Sequence, residues 1–386
     1  MSNRRRVALI VEMSGVYGRR ILEGIAKYQR THQLWSVFLE QRELRAPPPP
    51  WLLHRPWDGI ICRSTTPALA RAFLRRGIPA VDMNDLHGNL GLPRVGSDMA
   101  AIGRMGGEHL LDRGFRAFAF CGFSREAWSA GRCRGFRETL HEAGFDCAVY
   151  ESAWHGPHVP VWDKDQQRLA VWLRGLPKPL GLMTCNDLRG QQVLNACHSL
   201  DLNVPEEMAV VGVDNEQVLC ELCDPPLSSV APNPERIGYE AAALLDRLMG
   251  GGIAPADEML IPPLAVVARH SSDVTRIDDP DVAAALSFIR KNACSGMSVE
   301  QVVAHVAVSR SILERRFRKH VGHSPQAEIR RVQLNRVKQL LVESDLSLES
   351  IARLAGYIHP EYMSVVFKRV TGTTPGQYRR QNQLRA

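Results

Sequence analysis

The chain has 386 residues, 45% of them hydrophobic, enough for two or three buried cores, which excludes a short disordered tail or a lone small module. No apolar run approaches the roughly 18 residues of a membrane span, and the basic start MSNRRRVALIVEM turns polar at Glu12, short of a signal-peptide core. A soluble cytoplasmic protein with no membrane partner and reduced cysteines is expected. The net charge of +7 is segregated: residues 281–386 hold 17 Lys and Arg against 8 Asp and Glu, so the excess sits in the tail and points it at a polyanion, most simply nucleic acid.

In chain order, short apolar runs at 6–13, 57–64, 78–83, 115–123, 181–187 and 208–215 read as strands. Helical patterns at 17–30, 100–113, 131–143 and 188–199 alternate with them, which predicts parallel sheet covered on both faces. Ligands of such folds lie at the carboxyl ends of the strands. Glu12 and Ser14, Asp82 and Asn84, Asn186 and Asp187, and Asp214 and Asn215 all fall there. With Tyr17, Trp35, Trp51, Trp57 and Trp128 as apolar platforms, such carboxylates and amides suit a polyhydroxylated ligand, a sugar; the same residues also serve as ordinary turn and helix-cap residues. The four prolines at 47–50 read as an extended surface loop, and the polar, aperiodic stretch 271–280 as a linker between a sensor domain at 1–270 and a tail domain at 281–386.

The tail contains an internal duplication. The segment 298–308 aligns with 347–357, and after one inserted residue Phe317, Gly322 and Pro325 pair with Phe367, Gly372 and Pro375. Each copy opens with Ser-x-Glu, runs a short helix (Val302, Val303 and Val306 inward in the first, Ile351, Leu354 and Ala355 in the second), breaks, and begins a second helix. In the first copy Ile312, Leu313 and Phe317 face inward while Ser311, Glu314, Arg315 and Arg318 share the opposite face, the pattern of a helix-turn-helix with an exposed recognition stripe. The second stripe is Glu361, Ser364, Val365 and Lys368. Arg318, Lys319 and Lys368 are expected at phosphates, and Ser311, Glu314, Arg315, Glu361 and Ser364 at base edges. A helix from Ser324 to Ser344 bridges the copies.

These residues resemble the double helix-turn-helix domain of the AraC/XylS family of transcription regulators over about 281–381, through Ile351, Ala352, Gly356, Tyr357, Phe367, Lys368, Gly372, Thr374, Pro375, Tyr378 and Arg379. Where many members carry Arg on the second recognition helix, this chain has Val365. The front is similar to the sugar-sensing core of LacI/GalR regulators over roughly 6–249, through VGSDMAAIGRMGGEHLLDRGFRAFAF, RCRGFRETL, TCNDLRGQQVLNAC and LNVPEEMAVVGVDN. That likeness implies a two-lobed α/β sensor with Asp98, Arg132, Asn186 and Asp214 lining its sugar cleft. The two likenesses together imply a homodimeric, sugar-responsive activator whose effector is xylose, with promoter DNA and RNA polymerase as partners and no cofactor.

Two alternatives stay open: a sugar-processing enzyme with an appended nucleic-acid module, and a repressor. No phosphate loop, nucleophile elbow or His-Glu-x-x-His occurs, so no catalytic residue and no metal ligand is nominated. The pair Cys220 and Cys223 has no second ligand pair nearby and reads as two thiols on a short helix rather than half a zinc site.

Overall fold

The computed structural model describes residues 4–32, 35–41, 43, 46–155, 159–273 and 279–382. The first lobe opens with β1 (Arg6–Ile10), α1 (Val16–Thr31), β2 (Ser36–Leu39), β3 (Gly59–Cys62), α2 (Pro67–Arg76), β4 (Ala80–Asp82) and β5 (Val95–Ser97). The second takes α3 (Met99–Leu111), β6 (Ala117–Ser124), α4 (Ala127–Glu142), β7 (Cys147–Ala153), α5 (Trp162–Arg174), β8 (Leu180–Thr184), α6 (Asp187–Ser199), β9 (Met208–Val213), α7 (Gln217–Leu222) and β10 (Ser228–Ala231). The chain then returns: α8 (Pro234–Met249) packs on α1, β11 (Met259–Ile261) pairs with β5, and β12 (Ala265–Val267) rejoins the second sheet.

The first sheet, in the order β2-β1-β3-β4, is wholly parallel; the second, β12-β10-β9-β8-β6-β7, is parallel except for β12. Both faces of both sheets are covered, as near-continuous apolar strands such as GIIC and MAVVGV require. Val7 and Leu9 pack under α1 and α8, and Ala8 and Ile10 pack under α2. In the second lobe Phe118 and Phe120 face α3 and α4, and Ala119 and Cys121 face α5 and α6.

The remainder is helical: α9 (Pro280–Asn292), α10 (Val299–Val306), α11 (Arg310–Val321), α12 (Pro325–Glu343), α13 (Leu348–Leu354), α14 (Pro360–Thr371) and α15 (Pro375–Asn382). Ser298, Ser309, Ser324 and Ser347 sit at the N-caps that open α10 to α13. Leu313 and Phe317 fill one core and Met363, Val366 and Phe367 the other. The helix α12 supplies Ile329 to the first and Val337 and Leu341 to the second, so the bridge is shared by both units. Leu354, expected inward, is 44% exposed: α13 is only seven residues long and buries Ile351 and Ala352 instead.

Of the stretch expected as a linker, 274–278 lies outside the described residues. Ser271 and Ser272 are buried against the second sheet: Ser271 Oγ donates to Val210 O at 2.6 Å and accepts from Ser228 N–H at 2.9 Å. Asp279 caps α9.

Candidate functional site

The carboxyl ends of the two parallel sheets face one another, and polar side chains from both meet there. From the first lobe come Glu12 after β1, Arg63 after β3, Asp85 after β4 and Ser97 at the end of β5. Arg63 forms ion pairs with Glu12 and, at 2.7 Å, with Asp85. Its guanidinium lies 4.7 Å from the centre of the Tyr17 ring, and the Tyr17 hydroxyl shares a 2.7 Å hydrogen bond with Ser97. From the second lobe comes Arg132 of α4, which donates to Cys185 O and to Asp214 Oδ1 at 3.2 Å and lies 5.1 Å from the Trp128 ring centre. Gly135, one turn on, lets α4 lie directly on α3, since a Cβ there would stand 2.1 Å from Ala100 O.

The lobes sense each other across the cleft. Burial raises the pKa of Asp214, with Arg132 and, from the other lobe, Arg63 opposing the rise and Asp85 adding to it. Three buried atoms of the cluster, Glu12 Oε2, Arg63 Nε and Arg132 Nε, make no hydrogen bond among the described residues. Buried donors and acceptors left in that condition are costly, so a polar ligand that pairs with them gains affinity.

Of the nominated ligand residues, Glu12, Arg132 and Asp214 meet in this cluster. Asp98 and Asn186 border it as helix caps: Asp98 accepts from Ala101 N–H and Asn186 from Arg189 N–H, each at 2.9 Å. Asp82 and Asn84 bind each other and shape a turn, Asn84 Oδ1 accepting from Leu86 N–H at 3.1 Å and His87 N–H at 2.6 Å. Trp35 and Trp57, expected as platforms, are core residues of the first lobe, and Trp51 packs edge-on against Trp57. Arg63, Asp85 and Ser97 were not among the residues expected from the sequence, although Arg63 directly follows the apolar strand GIIC, a position that solvated arginines also occupy.

On the tail, Ser311, Arg315, Arg318 and Lys319 are exposed on α11, and Glu361, Val365 and Lys368 on α14. Arg315, Lys319 and Lys368 make no ion pair among the described residues. Glu314 is engaged instead, accepting from Arg310 Nε at 3.1 Å with Arg318 4.0 Å away. Ser364 turns its hydroxyl back to Pro360 O at 2.9 Å. Gln333 of α12 donates to Ala293 O at 3.0 Å and Gly356 O at 3.2 Å, tying the two units together.

A polar seam joins the halves. Asp112, which caps α3, forms an ion pair with Arg331 of α12, and its carbonyl accepts from Arg290 of α9 at 3.0 Å. Arg331 also grips the buried Glu328 at 2.8 and 2.9 Å, and His323 Nε2 lies 2.9 Å from the same carboxylate. Burial pushes Glu328 up, but these hydrogen bonds and the charges of Arg331 and Arg290 outweigh it and hold the group at about 2. Beneath them the buried Arg113 donates to Ser272 O at 2.6 Å and to His109 Nδ1 at 3.0 Å. Burial and the neighbouring arginines keep His109 neutral, its pKa well below the usual value.

Cys220 lies within α7 and Cys223 caps it; burial raises both thiols. No group of side chains able to hold a metal occurs among the described residues, and no helix is long and apolar enough to cross a membrane.

Comparison with known proteins adds three findings. The family described as periplasmic binding protein-like domain matches residues 108–272, and that described as helix-turn-helix domain matches 302–381. The xylose operon regulatory protein of Escherichia coli (strain K12) is 33% identical over 389 residues, covering 98% of this chain and 97% of its own, and that of Haemophilus influenzae is 32% identical over 97% and 98%. A solved structure of the xylose-binding transcription activator XylR is similar with a TM-score of 0.63 at 32% identity, over 99% of both chains.

Proposed function

Since the chain belongs to the family of xylose operon regulatory proteins, we propose that it is a transcription activator whose hold on promoter DNA is set by xylose bound between its two lobes. The observation that carries the reading is the cleft cluster, in which Glu12 Oε2, Arg63 Nε and Arg132 Nε are buried without partners. A pentose offers hydroxyl groups that both donate and accept, so it can satisfy the carboxylate and the two guanidinium groups at once. Asp214, Asn186 and Asp98 complete the ring of contacts, with Tyr17 and Trp128 as its apolar walls.

The tail supplies the output. Arg318, Lys319 and Lys368 take phosphates; Ser311, Arg315, Glu361 and Ser364 take base edges, with Glu314 positioning Arg310 and Arg318 around them. The helix α12, about 28 Å long at 1.5 Å per residue, holds the recognition helices at the separation of successive major-groove segments. The sugar shifts DNA affinity by its differential affinity for two arrangements of the molecule. Helix α3 is the element that connects them, running from Asp98 at the cleft to Asp112 on the seam. A homodimer working with RNA polymerase in the cytoplasm completes the proposal.

Binding rather than turnover is favoured because sugar hydrolysis calls for two carboxyl groups that can act as acid and base, and Glu12 and Asp214 are each engaged by an arginine. Titration calorimetry with D-xylose and other aldoses tests the sensor: heat of binding to the intact protein, lost in Arg132→Ala, is expected, and no binding of any aldose would remove the effector half of the proposal. For the output, Arg315→Ala is expected to relax specificity at one base pair at a cost of about 1–3 kcal/mol. A uniform loss over all sequences with a shallower salt dependence would make Arg315 a phosphate contact.

A further inference from the structure

The two recognition helices are built from the same repeat yet present different chemistry. Arg315 on α11 corresponds to Val365 on α14, at the offset of 50 that pairs Phe317 with Phe367. Three large apolar side chains are exposed at this end of the unit: Val365 at 56% and Tyr362 at 51% on α14, and Ile358 at 86% in the turn before it. Folding does not account for this patch, because the core of the unit is filled from the opposite face by Met363, Val366 and Phe367. Three of the four neighbouring charges are cationic: Glu361 precedes Val365 by one turn, Lys368 and Arg369 follow it within one turn, and Arg330 donates to the Tyr362 hydroxyl at 3.3 Å. An apolar patch bordered mainly by cations matches a groove walled by phosphates rather than an apolar protein surface. It spans the N-terminal half of the helix and the turn before it, the part of a recognition unit that meets base edges.

Hydrogen-bond donors are scarce there: the Ser364 hydroxyl gives its hydrogen to Pro360 O and keeps only acceptor capacity, Glu361 can only accept, and the Tyr362 hydroxyl already accepts from Arg330. The one apolar feature on the major-groove edge of a base pair is the 5-methyl group of thymine. We propose that the second recognition helix reads thymine through that methyl, with Val365 as the reading side chain and Ile358 and Tyr362 closing the contact. This rests on the tail being the DNA-reading element; it adds that the two halves of the site are read by different means, guanidinium in one and aliphatic contact in the other.

The test uses the full chain with D-xylose present. Duplexes are first selected from randomised DNA, and each thymine of the selected sequence is then replaced singly by deoxyuridine, which pairs identically but lacks the methyl. At one or two thymines confined to one half of the site, affinity is expected to fall about fourfold, the factor for burying one methyl group. Val365→Ala, at an exposed position, is expected to erase the preference for thymine over uracil there and to leave the other half-site unchanged. Deoxyuridine tolerated at every position overturns the inference, as does a Val365→Ala variant that weakens thymine and uracil duplexes equally. A variant that keeps the thymine preference but loses transcription with purified RNA polymerase overturns it too, and assigns the patch to the polymerase. Failure to select any duplex would instead remove the DNA-reading role itself, and this inference with it.

Discussion

Asp187 is a carboxyl group whose surroundings disfavour its charge. It is 2% exposed, and its two oxygens accept from the Ser229 hydroxyl at 2.6 Å and from Glu216 N–H at 2.8 Å. Burial and then the nearby charge of Asp214 push its pKa up to about 8 from an ordinary 3.8. Below about pH 4 folded and unfolded chains both hold this proton; as pH rises the unfolded chain gives it up first, so the group removes stability progressively between about pH 4 and pH 8. Asn stays uncharged at every pH, and its one carbonyl oxygen can still accept one of the two hydrogen bonds. Asp187→Asn is therefore expected to flatten the fall in unfolding temperature between pH 5 and pH 8, and equal slopes in the two proteins would show that Asp187 ionises freely in the fold. The consequence reaches the cleft, because the Glu216 contact secures the turn in which Asp214 and Asn215 hold φ of 105° and 47°. Sequence reasoning placed Asp187 and Asn186 together at a strand end without separating a buried anchor from a cleft-facing cap. It missed Arg63 because nothing local distinguishes an arginine after a strand from a solvated one; only the approach of Glu12 and Asp85, far apart in sequence, gives it a role.

At the scale of elements, what was legible depended on burial. Strands buried on both faces, such as β3 and β9, were visible as unbroken apolar runs, whereas the edge strands β2 and β7 alternate or mix polar residues and were not. The duplication was legible because each copy folds around its own core. The contact that orients one copy against the other was not, since it runs through backbone. Gly356 carries a φ of 79°, and a Cβ there would stand 2.6 Å from Ala293 O, one of the two carbonyls that Gln333 holds. Gly372 has nearly the same φ, 76°, with no atom within 4 Å of its Cβ position. The pair separates two costs. Gly372→Ala is expected to lose about 1 kcal/mol for the left-handed backbone alone. Gly356→Ala adds a collision with backbone that cannot yield without parting the units, so it should unfold the tail several degrees lower and weaken DNA binding as well. Equal losses in thermal melts of the two variants would show that the units are not held in contact at this point.

For the whole molecule the question is how an event in the cleft reaches the tail. Helix α3 is 13 residues long, about 20 Å, capped at one end by Asp98 beside the cleft and at the other by Asp112 on the seam. Its far end touches both α9 and α12, so a rotation or slide of α3 on sugar binding acts on the first helix-turn-helix and on the bridge together. Within the tail Glu328 is buried and firmly paired, and its stabilisation is present above its unfolded pKa of 4.5 and lost only as pH falls toward 2. Near neutral pH the tail face of the seam is therefore a fixed, pre-formed surface. The Asp112 pair with Arg331 is different: both side chains are more than a third exposed, at 40% and 36%, so the pair is worth no more than about 1 kcal/mol and can be made or broken cheaply. Asp112→Ala removes the carboxylate that Arg331 meets, while the backbone carbonyl at 112 still accepts from Arg290 and the Glu328–Arg331 pair stays intact, so both halves should fold and bind with little change when assayed alone. What is expected to change is the linkage, by up to about fivefold: the factor by which xylose alters DNA affinity, and equally the factor by which DNA alters xylose affinity, should move toward one. Measuring both factors matters, because they must agree if one equilibrium joins the two sites. An Asp112→Ala protein that retains the full factor in both directions would exclude this ion pair as the route, and would shift attention to the Arg290 contact with the backbone at 112 and to the strands β11 and β12 through which the chain passes between the lobes on its way to the tail.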